Sequence, residues 1–333
     1  MKTHTRTTVI PSIMLLMAAM LFACQRNDPI GPLGSTASLA KGGNGGGKPS
    51  TTLETIYLSA AQTGGPQVAS ILEDGTDFKW TNAFPDGGQF DVSPDGKTAV
   101  LANQNSDYTW DLFLQNMKTR NATRLTNVHA GGITSPRWSP DGQQILMSMV
   151  VGGTWDLRVV DLAGNVSLSN YQSVGPNLYS SWTPQGGYAF VHMENYQGSV
   201  LQSLMVTRLT DGLVGTYSCA QVPGSTIEAS CFDPTVSASG DVVFGWCPGI
   251  QPNDPACGLY HWNVADPDLS TATPLGIKGK QPRYSPDGTR LAYIGGGLAT
   301  TLVLYEPGNP LKPPTVLIAS SGQNPILGLS WRF

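Results

Sequence analysis

One tetrapeptide limits what this chain can become. Ser93-Pro94-Asp95-Gly96 returns as Ser139-Pro140-Asp141-Gly142 and as Ser285-Pro286-Asp287-Gly288. Two degenerate copies, Thr183-Pro184-Gln185-Gly186 and Ser237-Ala238-Ser239-Gly240, lie between the last two. Their first residues are 46, 44, 54 and 48 positions apart. A period of about 40–50 residues belongs to propellers and solenoid arrays. Proline presets φ for the second position of a type I turn, and Asp with Gly completes the reversal. Short apolar or aromatic runs flank the copies: Ser135–Trp138 before and Gln144–Met149 after one, Gln281–Tyr284 before and Arg290–Ile294 after another. A third run follows each time, at Asp111–Leu114, Asp156–Val160, Gly258–Trp262 and Thr301–Tyr305. A second turn, clearest in Asp161-Leu162-Ala163-Gly164, leads to a short fourth run. Four strands joined by three hairpin connections make one propeller blade.

First strands end near Val92, Trp138, Trp182, Val236 and Tyr284. Leu327–Phe333 reads as a sixth first strand with nothing after it, and Trp331 keeps the pitch, 47 residues beyond Tyr284. Its partners stand at the other end: Thr55–Ala60, Gln67–Leu72 and Phe78–Thr81 read as second, third and fourth strands lacking a first. Trp80-Thr81-Asn82 echoes Leu125-Thr126-Asn127. The expected fold is therefore all-β, a six-bladed β-propeller of four-stranded blades over residues 54–333. The C-terminal strand closes it by pairing into the N-terminal blade, which removes exposed sheet edges.

The pattern of Pro-x-Trp/Tyr-Ser-Pro-Asp-Gly, apolar strand, loop, Asp-Leu strand and Leu-Thr-Asn resembles the WD-like (PD40) repeat of the TolB-type six-bladed propellers. The resemblance covers about residues 54–333 and implies a fold more than an activity, because the repeat also occurs in peptidase propeller domains. Two departures stand out. No α/β domain precedes the repeats in this sequence, and no α/β-hydrolase domain or Gly-x-Ser-x-Gly elbow accompanies them.

Residues 1–23 read as an export signal: Lys2 and Arg6 give a basic start, and Ile13–Ala23 is an apolar run too short to span a bilayer as a helix. It ends Leu21-Phe22-Ala23-Cys24, which resembles a bacterial lipobox and implies cleavage before Cys24 and lipidation of its thiol, with ordinary secretion as the alternative. Multiple acyl chains anchor a protein stably. Gln25 in place of Asp points to the outer membrane of a bacterial cell envelope. Residues 24–53, with Lys41–Lys48 nearly all glycine between the lysines, read as a tether of about 30 Å root-mean-square reach. Gly42–Lys48 superficially matches a phosphate-binding loop, but Pro49 stands where Ser or Thr should follow the lysine.

The formal charge of −4 lacks the basic footprint of a nucleic-acid binder, so no nucleic-acid partner is expected. Besides Cys24, four cysteines lie between positions 219 and 257, and an even number in an exported chain reads as disulfides. Strand placement favours Cys219–Cys231 and Cys247–Cys257. The other two pairings and a four-cysteine zinc site are the alternatives, the last without any Cys-x-x-Cys pair.

In this topology the connections between second and third strands and between blades share one face, opposite the Ser-Pro-Asp-Gly turns. Binding residues concentrate on loops held by a rigid scaffold. The candidates there are Asp107, Tyr108, Trp110, His129, Tyr179, Asn195 and Tyr196, with Asp86, Glu194, Asp254 and Gly295–Gly297 nearby. Trp110 recurs as Trp155 in a Thr-Trp-Asp-Leu repeat, which suits packing between blades better than a stacking platform. His129, His192 and His261 fall in different repeat contexts, so no metal site and no cofactor are expected. The reading that results is a non-catalytic, lipid-anchored envelope module that docks a protein or glycan on its loop face. A polysaccharide lyase or hydrolase working at the channel mouth is the alternative.

Overall fold

The computed structural model describes residues 53–62, 64–81, 83, 89–169, 175–249, 256–295, 301–309, 311–319 and 325–331. The export signal, Cys24 and the tether lie outside them, apart from Leu53, as do Asp86, Asp254, Gly296 and Gly297.

Six four-stranded antiparallel sheets follow one another along the chain. Blade 1 contains β1 (Thr55–Ala60), β2 (Gln67–Leu72) and β3 (Lys79–Trp80). Blade 2 is β4 (Phe90–Val92), β5 (Thr98–Gln104), β6 (Trp110–Asn116) and β7 (Ala122–Arg124). Blade 3 is β8 (Ile133–Trp138), β9 (Gln144–Val151), β10 (Thr154–Asp161) and β11 (Val166–Leu168). Blade 4 is β12 (Asn177–Trp182), β13 (Tyr188–Tyr196), β14 (Ser199–Thr207) and β15 (Val214–Ser218). Blade 5 is β16 (Ser230–Val236), β17 (Asp241–Cys247), β18 (Gly258–Asn263) and β19 (Thr273–Ile277). Blade 6 is β20 (Gly279–Tyr284), β21 (Leu291–Gly295), β22 (Thr301–Tyr305) and β23 (Thr315–Ala319). The last strand, β24 (Ile326–Trp331), pairs antiparallel with β1, placing Trp331 opposite Ile56 and Ser330 opposite Tyr57. The wheel closes as the sequence pattern predicts.

The strands read as near-continuous apolar runs because each blade is covered on both faces. In β13, Ala189 and Val191 enter the cluster shared by blades 4 and 5, while Phe190 between them enters the cluster shared with blade 3. In β1, Ile56, Leu58 and Ala60 face blade 6 and Tyr57 faces blade 2. Side chains alternate across a strand, so one run feeds two interfaces. Six apolar clusters result, one between each pair of neighbouring blades.

The repeated turn builds the innermost hairpin. Gly96, Gly142 and Gly288 sit at φ 72°, 69° and 71°, a region glycine enters at little cost. The Ser93 hydroxyl donates to Asp95 at 2.7 Å and accepts from the Thr98 N–H at 3.0 Å. Ser139 repeats this with Asp141 at 2.6 Å and Gln144 at 2.9 Å. In the degenerate copies Thr183 and Ser237 still accept the returning N–H, from Gly187 at 3.0 Å and Asp241 at 3.1 Å. The Ser93 hydroxyl, then the Lys97 N–H, hold the Asp95 carboxyl down to about 2, and the Ser139 hydroxyl likewise lowers Asp141. A carboxylate depressed in the folded state stabilises above its unfolded pKa of about 4 and loses that contribution as pH falls toward the folded value. Urea midpoints are accordingly expected to drop between about pH 4 and pH 2. The Asp95→Asn, Asp141→Asn double variant should flatten part of that slope; an unchanged slope would refute the assignment.

Both disulfides adopt the favoured pairing, Cys219–Cys231 and Cys247–Cys257. The first ties the segment after β15 to β16, across the joint between blades 4 and 5. The second closes the connection from β17 to β18.

Candidate functional site

Polar side chains gather on the face opposite the Ser-Pro-Asp-Gly turns and inside the channel. On the face, the connection from β5 to β6 is built around Asp107. Its Oδ1 accepts from the Thr109 N–H at 3.1 Å and the Thr109 hydroxyl at 2.6 Å. Both His129 contacts reach Nδ1: Asp107 Oδ2 and Thr109 Oγ1 each lie 3.1 Å away. His129 arrives on the link from blade 2 to blade 3, which is pinned by a backbone bridge between Trp110 and Ala130 at 2.8 and 3.0 Å. Beneath the loop, Asp111 is fully buried and accepts from Asn105 Nδ2, the Thr126 hydroxyl and the Val128 N–H, each at 2.8 Å, and from the Arg124 guanidinium. Burial works to raise its pKa, but Arg124, Val128, Asn105 and Thr126 together hold it below the usual carboxylate value. Asp107 is lowered chiefly by the Thr109 hydroxyl and N–H.

This bracing supports strained backbone. Tyr108 at φ 63° and His129 at φ 48° are both left-handed without being glycine. Tyr108 is 82% exposed, an aromatic ring held in solvent by a fixed loop. Beside His129 runs a groove of about 500 Å³, walled by Val128, Ala130, Met149, Val150, Val151 and Arg158. The groove therefore lies between the link from blade 2 to blade 3 and the middle strands of blade 3.

The predicted residues divide. Asp107 and His129 meet in a side-chain contact, His129 lines the groove, and Tyr108 stands next to Asp107 in the same loop. Trp110 is half-buried and packs into the cluster between blades 2 and 3, which makes it a packing residue. Trp155 packs against Gly132, just ahead of β8 in its own blade, where even a Cβ would come within 2.9 Å of its ring. Asn195 and Tyr196 lie two blades from the Asp107 loop, at the β13–β14 hairpin. There Gln197 and Gly198 both have positive φ and Tyr196 is 51% exposed. Among the described residues, no hydrogen bond or ring contact joins them to the Asp107 loop. Tyr179 corrects the expectation: it lies within β12, not on a connecting loop. It occupies a bulge at φ 56° that recurs in neighbouring first strands as Ser135, Asp233 and Gln281. The bulge turns its ring inward against the cluster between blades 4 and 5, and burial with the Asp233 charge pushes its hydroxyl up to about 12.

The channel site was not anticipated, although its signal is in the sequence. A polar residue stands immediately before the residue that ends each first strand: Asp91, Arg137, Ser181, Thr235, Arg283 and Ser330. These side chains also link the blades. Val92 N–H donates to Ser330 Oγ at 3.2 Å, Trp138 N–H to Asp91 Oδ2 at 2.8 Å, and Tyr284 N–H to Thr235 Oγ1 at 3.3 Å. Arg137 and Arg283 come from opposite blades. Burial lowers both pKa values, and the neighbouring Arg137 charge helps bring Arg283 down to about 9.

The histidines stay apart: His192 Nδ1 lies 3.0 Å from Asn177 Oδ1 on blade 4, and His261 Nε2 lies 3.1 Å from Asp241 Oδ1 on blade 5. Among the described residues no group of three or more His, Cys, Asp or Glu side chains could hold a metal ion. Nor is any described helix long and apolar enough to cross a membrane.

No family model and no curated sequence matches the chain. Solved structures do. Together with the closed six-blade topology they define the class, a six-bladed β-propeller. TolB from Acinetobacter baumannii superposes with a TM-score of 0.62 at 16% identity, over 84% of this chain and 66% of that one. A nidogen/laminin complex structure matches with a TM-score of 0.58 at 10% identity, over 84% and 98%. A TolB-type structure from Agrobacterium tumefaciens gives 0.51 at 14% identity, over 84% and 99%. The fold is thus similar to that of the TolB propellers, and this chain spans about two thirds of the Acinetobacter protein's length.

Proposed function

We propose that this protein is a lipid-anchored binding module of the bacterial cell envelope that docks a partner protein on the face bearing the Asp107 loop. The observation that carries the reading is the groove beside His129, with Met149, Val150 and Val151 on one wall and His129 and Arg158 as its polar groups, next to a loop that holds a highly exposed tyrosine. An aromatic anchor with restricted freedom beside an apolar slot is the usual make-up of an interaction hot spot. Rigid display lowers the ordering cost of association. The solved neighbours fit this reading, since one is a propeller from a nidogen/laminin complex and others are TolB proteins. Anchoring would follow from lipidation at Cys24, with the outer membrane as destination. A glycan ligand is the other outcome the same face could give.

The test is recovery of envelope proteins by the purified chain, comparing wild type with a Tyr108→Ala, Val150→Asp double variant of unchanged circular dichroism. A partner using this face should bind the variant about 10–100-fold more weakly. Equal recovery of every partner by both forms rejects the face. Loss of binding to isolated envelope glycans, with protein partners unaffected, would replace the protein by a saccharide.

A further inference from the structure

The innermost layer of the channel contains more hydrogen-bond donors than the protein satisfies. A cavity of about 30 Å³ lies on the wheel axis, with residues of all six innermost strands in its wall. About 10–15 Å³ is enough for one water, so this space holds a small guest. Arg137 and Arg283 both line it. Arg283 is 8% exposed, and among the described residues its only hydrogen bond goes from Nη1 to the Pro282 carbonyl at 2.7 Å. Arg137 Nη1 donates to the carbonyls of Phe90 at 2.8 Å and Pro136 at 3.0 Å. Among the described residues neither guanidinium has a carboxylate within ion-pair distance. Two carboxylates lie near, Asp91 on the cavity wall itself; each gives Oδ2 to a main-chain N–H, Asp91 to Trp138 at 2.8 Å and Asp233 to Gln281 at 3.2 Å, and their charges reach both arginines without ion-pair contact. Arg137 Nε, Arg283 Nε and Trp138 Nε1 are buried without a partner, and every unpartnered buried side-chain atom on the cavity wall is a donor.

We propose that the channel is a binding site for one small monovalent anion, of halide size, held between Arg137 and Arg283. A buried guanidinium whose only partners are main-chain carbonyls keeps much of its desolvation cost, and an anion between two of them offsets it where a water offers a weaker acceptor. Unpartnered donors outnumber the single carboxylate on the wall, which favours a negative guest, and the cavity volume excludes bulky anions. The site joins blades 3 and 6 across the axis, so its occupant braces the wheel from within.

The experiment compares the melting temperature of the full chain in sodium chloride and in sodium gluconate at equal ionic strength, with the chloride NMR line width measured alongside. Chloride should raise the melting temperature by about 2–4 °C relative to gluconate, as a ligand of the folded state does. Chloride added to the wild-type protein should give a broadened line that bromide narrows by competition. Arg283→Met and Arg137→Met should abolish both effects. Equal melting temperatures in the two salts, or an unbroadened line with folded wild-type protein, overturns the proposal whatever the variants do. Retention of both effects in folded Arg283→Met overturns it too.

Discussion

A chain ending at Pro325 is expected to fail to form the closed wheel. Removing β24 takes Ile326, Leu329 and Trp331 out of the cluster between blades 6 and 1. Three buried side chains of this size contribute roughly 1.5–3 kcal/mol each, a large part of the about 5–15 kcal/mol that separates folded from unfolded domains. The loss is not only apolar. Main-chain groups of β1 lose their inner partner along the register from Ile56 to Ala60, and the Val92 N–H loses Ser330 Oγ. The uncovered strand is then an edge that invites pairing between molecules. Gel filtration should show aggregates or expanded monomers, and near-ultraviolet circular dichroism should collapse. Moving Ile326–Trp331 ahead of Glu54, joined by a Ser-Pro-Asp-Gly turn, should restore the wheel by giving blade 1 the connectivity of the other five. A truncated chain with the wild-type urea midpoint would show that closure contributes nothing.

Arg290→Ala should produce the next largest effect. This guanidinium leaves the last Ser-Pro-Asp-Gly turn, binds Glu73, reaches Glu54 at 3.3 Å and Asp287 at 3.5 Å, and stacks 5.6 Å from the Trp331 ring centre. It therefore ties blade 6 to the second, third and innermost strands of blade 1. The side chain is 21% exposed and that of Glu73 is 10%, so removal leaves carboxylates without compensation in a poorly hydrated place. A cost of about 2–3 kcal/mol is expected, read as a lower urea midpoint with an unchanged slope. Glu73→Gln in the same background should recover part of it. Burial, against the pull of Arg290, already raises the Glu54 pKa. The folded state then holds the extra proton between the unfolded value and the raised one, so stability falls as pH rises through that window. Without Arg290 the window should widen upward. A midpoint within error of wild type would remove Arg290 from the closure.

The architecture was legible because its determinants are local and repeated. Each turn announces itself through Pro, Asp and Gly, and Trp331 continues the spacing of the earlier strand ends. The disulfides were legible for a related reason: Cys247 ends β17 and Cys257 directly precedes β18. Tyr179 was misread because the bulge that carries it adds a residue to the first strand with no turn chemistry to mark it. Asp107 and His129 were both picked out, but their contact spans 22 positions and depends on the intervening β6–β7 hairpin. Asp111 and Arg124 escaped notice, since a carboxylate in a third strand looks like part of the repeat until its four donors are seen. The two channel arginines escaped because an arginine beside a Trp or Tyr within a strand looks like surface alternation. Only the register of six blades on one axis brings them face to face.

The Cys219–Cys231 bond gives the wheel a seam that differs from the rest. Among the described residues it is the only side-chain crosslink between separate blades, while the start and finish of the ring meet by hydrogen bonds and side-chain packing in blade 1, diametrically across from blade 4. Thermal or mechanical opening should therefore begin at that uncrosslinked latch and spread both ways around the rim, leaving blades 4 and 5 as the last pair in contact. In a thiol-rich compartment the same molecule would lose its rivet and come apart with no preferred survivor.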